Sequence, residues 1–94
     1  MNTIELIFSN SIVTLTGNPF GRKIYETQVK EKFRYNEINE ILFPEHIEKV
    51  AISFSQGLIH EILGKINKNE LEKYIVIKAS SDELQQKILA DMKF

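Results

Sequence analysis

Cysteine and tryptophan are missing from this 94-residue chain, and only two prolines and four glycines punctuate it. Without cysteine there is no disulfide framework, no thiolate metal site and no thiol nucleophile. No charge of one sign dominates: 12 lysines and arginines against 13 acids leave a net charge of −1. That balance is unlike a nucleic-acid-coating polycation, so nucleic acid is not an expected partner. Long apolar runs are lacking as well. Stretches such as Tyr74-Ile75-Val76-Ile77 fall far short of the ~20 residues that cross a bilayer, and no membrane partner is expected. The start, Met1-Asn2-Thr3-Ile4-Glu5, has neither the basic residues nor the apolar run of a secretory signal, which places the expected location in the cytoplasm.

What is present is an ordinary globular composition, 43% hydrophobic and 27% charged. At this length it supports one modest core, hence one domain spanning 1–94. Ile4, Leu6 and Phe8 alternate with Glu5 and Ile7, then Ser9-Asn10-Ser11 offers turn chemistry before Ile12-Val13-Thr14-Leu15, a pattern that predicts a hairpin. Asn18 followed by Pro19 reads as an N-cap and first-turn proline, with helix one at about Pro19 to Arg34. Ile38, Ile41, Leu42 and Phe43 predict a strand stopped by Pro44. Phe54, Leu58, Ile59, Ile62, Leu63 and Ile66 share one face of a second helix. Asn67-Lys68-Asn69 breaks that pattern, Tyr74 to Lys78 reads as a buried strand, and Ser80 with Glu83 as a capping box. The last helix presents Leu84, Ile88, Leu89 and Met92 to the core. The order β-β-α-β-α-β-α predicts an α/β fold: a mixed sheet of about four strands with three helices, packed on at least one face.

Catalytic motifs are scarce. His60-Glu61-Ile62-Leu63-Gly64 starts like a helical zinc-protease motif, but Gly64 stands where the second histidine must be. With His46 the only other histidine, neither a metal nor any other cofactor is expected. Gly57 and Gly64-Lys65 have the wrong spacing for a phosphate loop. The segment Gly17-Asn18-Pro19-Phe20-Gly21-Arg22-Lys23 has two readings, a plain strand-to-helix turn or an anion cradle formed by Asn18, Gly21, Arg22 and Lys23. Arg22, Lys23, Lys30, Lys32 and Arg34 cluster on helix one, interrupted by Glu26 and Glu31, as on a solvated face.

The stretch Ile41-Leu42-Phe43-Pro44-Glu45-His46 through Ala51-Ile52-Ser53-Phe54-Ser55-Gln56-Gly57-Leu58, with Gly21-Arg22-Lys23-Ile24-Tyr25 upstream, resembles the STAS-like family of small bacterial domains related to anti-sigma-factor antagonists. The resemblance covers about Gly17 to Leu63. It implies a sheet with helices on one side and a non-enzymatic regulatory role in signalling, in which the protein partner is a histidine-kinase-like ATPase that phosphorylates a serine at a helix start. Ser53 then falls at the phosphoacceptor position, with Ser55 next to it, and Pro44, Glu45, His46, Phe54 and Gln56 form the partner-binding surface. The anti-sigma-factor antagonists open that helix with Asp-Ser-Ser/Thr-Gly, whereas this chain has Ala51-Ile52-Ser53-Phe54. Either serine also suits a plain helix cap. Two other functions compete with the regulatory one: a small nucleotide- or phosphate-binding protein or enzyme using the Gly17 to Lys23 turn, and a structural subunit that pairs with itself as a homodimer.

Overall fold

In the computed structural model, which describes all 94 residues, the chain runs β1 (Asn2–Glu5), β2 (Thr14–Leu15), α1 (Asn18–Ile24), a π-helical turn at Tyr25–Val29, β3 (Asn39–Leu42), β4 (Lys49–Val50), α2 (Ile52–Leu63), a 3-10 segment at Lys68–Lys73, β5 (Ile75–Lys78) and α3 (Asp82–Lys93). The strands form two separate sheets, one in the order β1-β3-β5 and one pairing β2 with β4, and every pairing is parallel.

The expected hairpin is therefore absent. β1 pairs with β3 and β2 with β4, and Leu6, Phe8 and Leu15 are buried in the core. In place of the expected single mixed sheet of four strands there are two all-parallel sheets of three and two strands. Two-residue β4 has no sequence signature of its own; its partner β2 defines it.

Each strand of the larger sheet alternates faces. Ile4, Asn39, Ile41, Ile75 and Ile77 point inward and are buried, while Thr3, Glu5, Glu40, Leu42, Val76 and Lys78 point the other way and keep solvent contact. A single contiguous core collects the inward residues with Phe54, Leu58, Ile59 and Ile62 of α2 and Leu84, Ile88 and Met92 of α3. Leu63, Ile66 and Leu89 pack at its margin. Phe8, Phe20 and Phe54 meet edge-to-face at centroid distances of 5.4 to 6.2 Å, a favoured geometry for aromatic rings.

With Ser55, Asn39 is one of two polar residues wholly buried in the protein. Its Oδ1 accepts from Asn2 Nδ2 (2.7 Å) and the Arg34 amide (2.8 Å), and its Nδ2 donates to the carbonyls of Arg34 (2.7 Å), Glu37 (3.1 Å) and Tyr74 (3.1 Å). One side chain thus ties β1, the turn before β3 and the entry to β5 together.

Helix one ends earlier than its residue pattern predicts. After Ile24 the backbone widens to a π turn, closed by the Lys30 amide donating to the Tyr25 carbonyl at 2.8 Å. Gln28 in that turn serves as a surrogate strand: its Oε1 accepts from the Ile7 amide (2.7 Å) and its Nε2 donates to the Ile7 carbonyl (2.9 Å). Asn18 is not the cap. Gly17, at φ 97°, holds the capping position in a backbone conformation that suits glycine, and Asn18 Oδ1 accepts from Arg22 Nε instead (2.8 Å). At α3 the cap is Ser81, whose hydroxyl accepts from the Leu84 amide (3.1 Å). Ser80, expected there, donates to the Ile47 carbonyl (3.3 Å). Asp82 and Glu83 follow in the first turn, where acids favour the helix dipole.

α1 and α2 cross at two glycines. A Cβ on Gly21 would lie 2.2 Å from the Phe54 carbonyl oxygen, and one on Gly57 would lie 2.2 Å from that of Asn18. The two backbones touch there with no room for a side chain.

Candidate functional site

Parallel sheets are almost always covered on both faces, since the βα crossovers that build them lay helices across them. Here the outward face of β1-β3-β5 is bare. Glu40 and Leu42 lie on its central strand and Val76 on the β5 edge beside Gln85, Gln86 and Leu89 of α3, all three half-buried, with exposed Glu5 and Lys78 on the outer strands. Ile7, 75% exposed, extends the face past the end of β1. At the carboxyl end of the strands the surface deepens into a groove of about 370 Å³ whose lining includes Glu5, Ile7, Leu42, Pro44, Glu45 and Lys78. Pairing of β3 with β5 ends at Phe43, whose amide donates to the Lys78 carbonyl (2.8 Å), because Pro44 has no amide to continue the ladder. Pro44 and Glu45 follow at the rim.

Two of the five residues expected to bind a partner, Pro44 and Glu45, therefore line the groove. His46 follows them on an exposed loop, its Nε2 3.1 Å from the Ser9 carbonyl. Gln56 sits elsewhere, in a hollow between α1, α2 and the carboxyl end of the chain, with Asn18, His60 and Lys68. Phe54 is 0% exposed at the centre of the aromatic cluster, so the expectation that it contacts a partner is corrected: its spacing marks a core position.

The two serines differ. Ser53 is half-buried in the first turn of α2, and its hydroxyl accepts from the Gly17 amide at 2.9 Å, linking that turn to the corner before α1. Neither serine caps α2, whose capping residue is Ala51. Ser55 is 0% exposed, and its Oγ has no hydrogen-bond partner. A phosphate has no space there, which removes Ser55 as the second phosphoacceptor. A buried unpaired hydroxyl costs about 1–3 kcal/mol. Ser55→Ala is accordingly expected to raise the urea midpoint, corresponding to about 1 kcal/mol, as chemical denaturation would measure.

The anion-cradle residues are also dispersed. Gly21 is buried in the helix crossing, and Asn18 holds Arg22. Arg22 and Lys23 line a cleft of about 500 Å³ between α1 and α2, together with Glu26, His60 and Glu61. The acids balance the bases, so the cleft has no clear preference for an anion. Tyr25 closes its floor, and burial first, then the neighbouring Tyr35 and Glu61, push its hydroxyl well above the ordinary value of 10.0. It stays neutral throughout the physiological range.

No grouping of three or more His, Cys, Asp or Glu side chains suited to holding a metal ion occurs in the structure, and no helix is long and apolar enough to cross a membrane. No family model matches the chain, and neither curated proteins nor solved structures provide a significant match.

The open face was hidden in the sequence for a simple reason. Glu40, Leu42, Val76 and Lys78 mix apolar and charged residues, and the period-2 signal is too short over four-residue strands to show which side lacks a cover.

Proposed function

We propose that this chain is a non-enzymatic regulatory module that binds another protein through the open face of its β1-β3-β5 sheet and the adjoining groove at Pro44 and Glu45. The observation that carries this reading is the uncovered parallel sheet. A face that exposes Leu42 on its central strand and Val76 beside it, next to the charges of Glu5, Glu40 and Lys78, has the mixed apolar and polar make-up of a protein interface. The helices lying on one side only agree with the layering that the resemblance to STAS-like domains implies. That resemblance adds the setting, partner switching in the cytoplasm, and the class of partner, a histidine-kinase-like ATPase.

Val76→Glu places a charge on the β5 side of the face without touching the core, because the Val76 side chain points away from it. Immobilised wild-type protein is expected to retain, from a lysate of its own cells, an ATPase that the variant retains at least about tenfold less, a loss typical of a charge buried without a partner. Equal retention by both proteins, with the fold of the variant verified by circular dichroism, overturns the reading.

A further inference from the structure

We propose that a second copy of this chain also occupies the open sheet face, related to the first by a two-fold axis running along β3. The proposal rests on the protein-binding reading above and names a partner for the same surface.

The register defines the geometry. Glu5 lies beside Leu42 and Leu42 beside Lys78, so these three side chains form one row across the sheet. A two-fold axis in the interface, parallel to the central strand, exchanges the outer strands: β1 of each copy lies over β5 of the other at the same height. Leu42 then meets its own equivalent on the axis, each Glu5 faces a Lys78, and each Lys78 faces a Glu5. One row of a single sheet thereby supplies an apolar centre and two opposite-charge pairs to a symmetric contact.

The neighbouring row, Thr3, Glu40 and Val76, is the severe test of this arrangement, because it brings a glutamate close to the axis from each side. Glu40 leans away from that position. Its Oε1 lies 3.5 Å from Thr3 Oγ1, on the β1 side of the central strand. The two-fold sends the two carboxylates to opposite sides of the axis, each toward the β5 strand of the other copy, which carries Lys78. The alternative two-fold, across the strands, would set Leu42 against Glu40 and Lys78 against Val76, leaving charges desolvated without partners, and is disfavoured.

Size sets the strength. Three strands about 4.8 Å apart and four residues long present a small area. The contact belongs with weak interfaces burying less than about 1,200 Å² in total, which places half-association at roughly 100 μM.

Sedimentation equilibrium over a concentration series tests the pairing. The wild-type chain is expected to move from 10.9 kDa toward twice that mass as concentration rises to ~1 mM, with the association weakened by added salt. Glu5→Lys and Lys78→Glu alter exposed side chains outside the core. Each variant alone turns both cross-copy pairs into like-charge pairs and is expected to weaken association about tenfold or more. An equimolar mixture of the two variants recovers it, because every mixed dimer then holds one native pair and one reversed pair. A wild-type mass fixed at 10.9 kDa throughout, or variants whose mixture associates no better than either alone, overturns the proposal. If self-association is absent while Val76→Glu still abolishes ATPase capture, only the two-fold pairing falls and the protein-binding reading stands.

Discussion

Gly57→Ala is expected to destabilise the protein by about 3 kcal/mol or more, the upper range for overpacking a fixed contact. At an ordinary helical site the same change stabilises by up to about 1 kcal/mol, since alanine is the better helix former. The sign is therefore diagnostic. The new methyl group would lie 2.2 Å from the Asn18 carbonyl oxygen and 3.1 Å from the Arg22 amide nitrogen, both main-chain atoms that no rotamer change can move. Gly21→Ala meets the Phe54 carbonyl oxygen at 2.2 Å and the Leu58 amide nitrogen at 2.8 Å, and is expected to behave alike. Gly64→Ala is the control. Its nearest neighbour, the Glu61 carbonyl oxygen, is 3.2 Å away, and its φ of −75° suits alanine. A change within about 1 kcal/mol is expected there. Urea denaturation of the three variants decides the matter, and a stabilised Gly57→Ala protein would mean that α1 and α2 do not touch as described.

Asn39→Ala is the other substitution with a large expected effect. It removes five hydrogen bonds from a site with 0% exposure. The Arg34 amide and carbonyl lose these partners at a part-buried position. At about 1–3 kcal/mol for each buried group left unpaired, a total loss of about 3 kcal/mol or more is expected, a large share of the 5–15 kcal/mol that holds a typical domain together. Asn39→Asp sharpens the test. A carboxylate keeps both acceptor roles toward Asn2 and Arg34 but directs negative charge at three carbonyl oxygens, so it is expected to be no better tolerated than alanine despite its nearly identical shape. If aspartate restores wild-type stability, the donor half of the network contributes little.

Much of the local structure was legible, because it follows from short-range periodicity. The stripe from Phe54 to Ile62 places α2, the run ending at Lys78 places β5, and the spacing of Leu84, Ile88 and Met92 places α3. Pairing was not legible. Ser9-Asn10-Ser11 carries the chemistry of a tight turn, and a tight turn implies a hairpin; parallel partners, by contrast, lie dozens of residues apart and leave no mark at either end. The end of α1 is not legible in the sequence because the residues beyond Ile24 keep a helical hydrophobic pattern while the backbone changes to a π turn. At the candidate site, the strand end at Pro44 is legible because proline cannot continue a ladder, whereas the groove that Pro44 and Glu45 line is a feature of the tertiary structure. Phe54, Ser55 and Gly21 were misplaced: a residue beside a strand-to-helix junction reads the same whether it turns to solvent or to the core. The close approach of Gly21 and Gly57 depends on two positions 36 apart and belongs to the tertiary structure alone.

Every strand in this protein finds its partner 35 to 37 positions away along the chain, and none pairs with a sequence neighbour. Closing such loops costs entropy before any contact compensates it, and topologies dominated by distant contacts fold slowly. During synthesis β1 has no partner until residues 39–42 emerge, and β3 remains without its second neighbour until residues 75–78 follow. The sheet is thus completed only once residues 75–78 have been made. Until then the inward faces of β1 and β3, with Ile4 and Ile41, have no finished core to enter, which makes the interval before β5 arrives the period in which this chain is most open to misassociation.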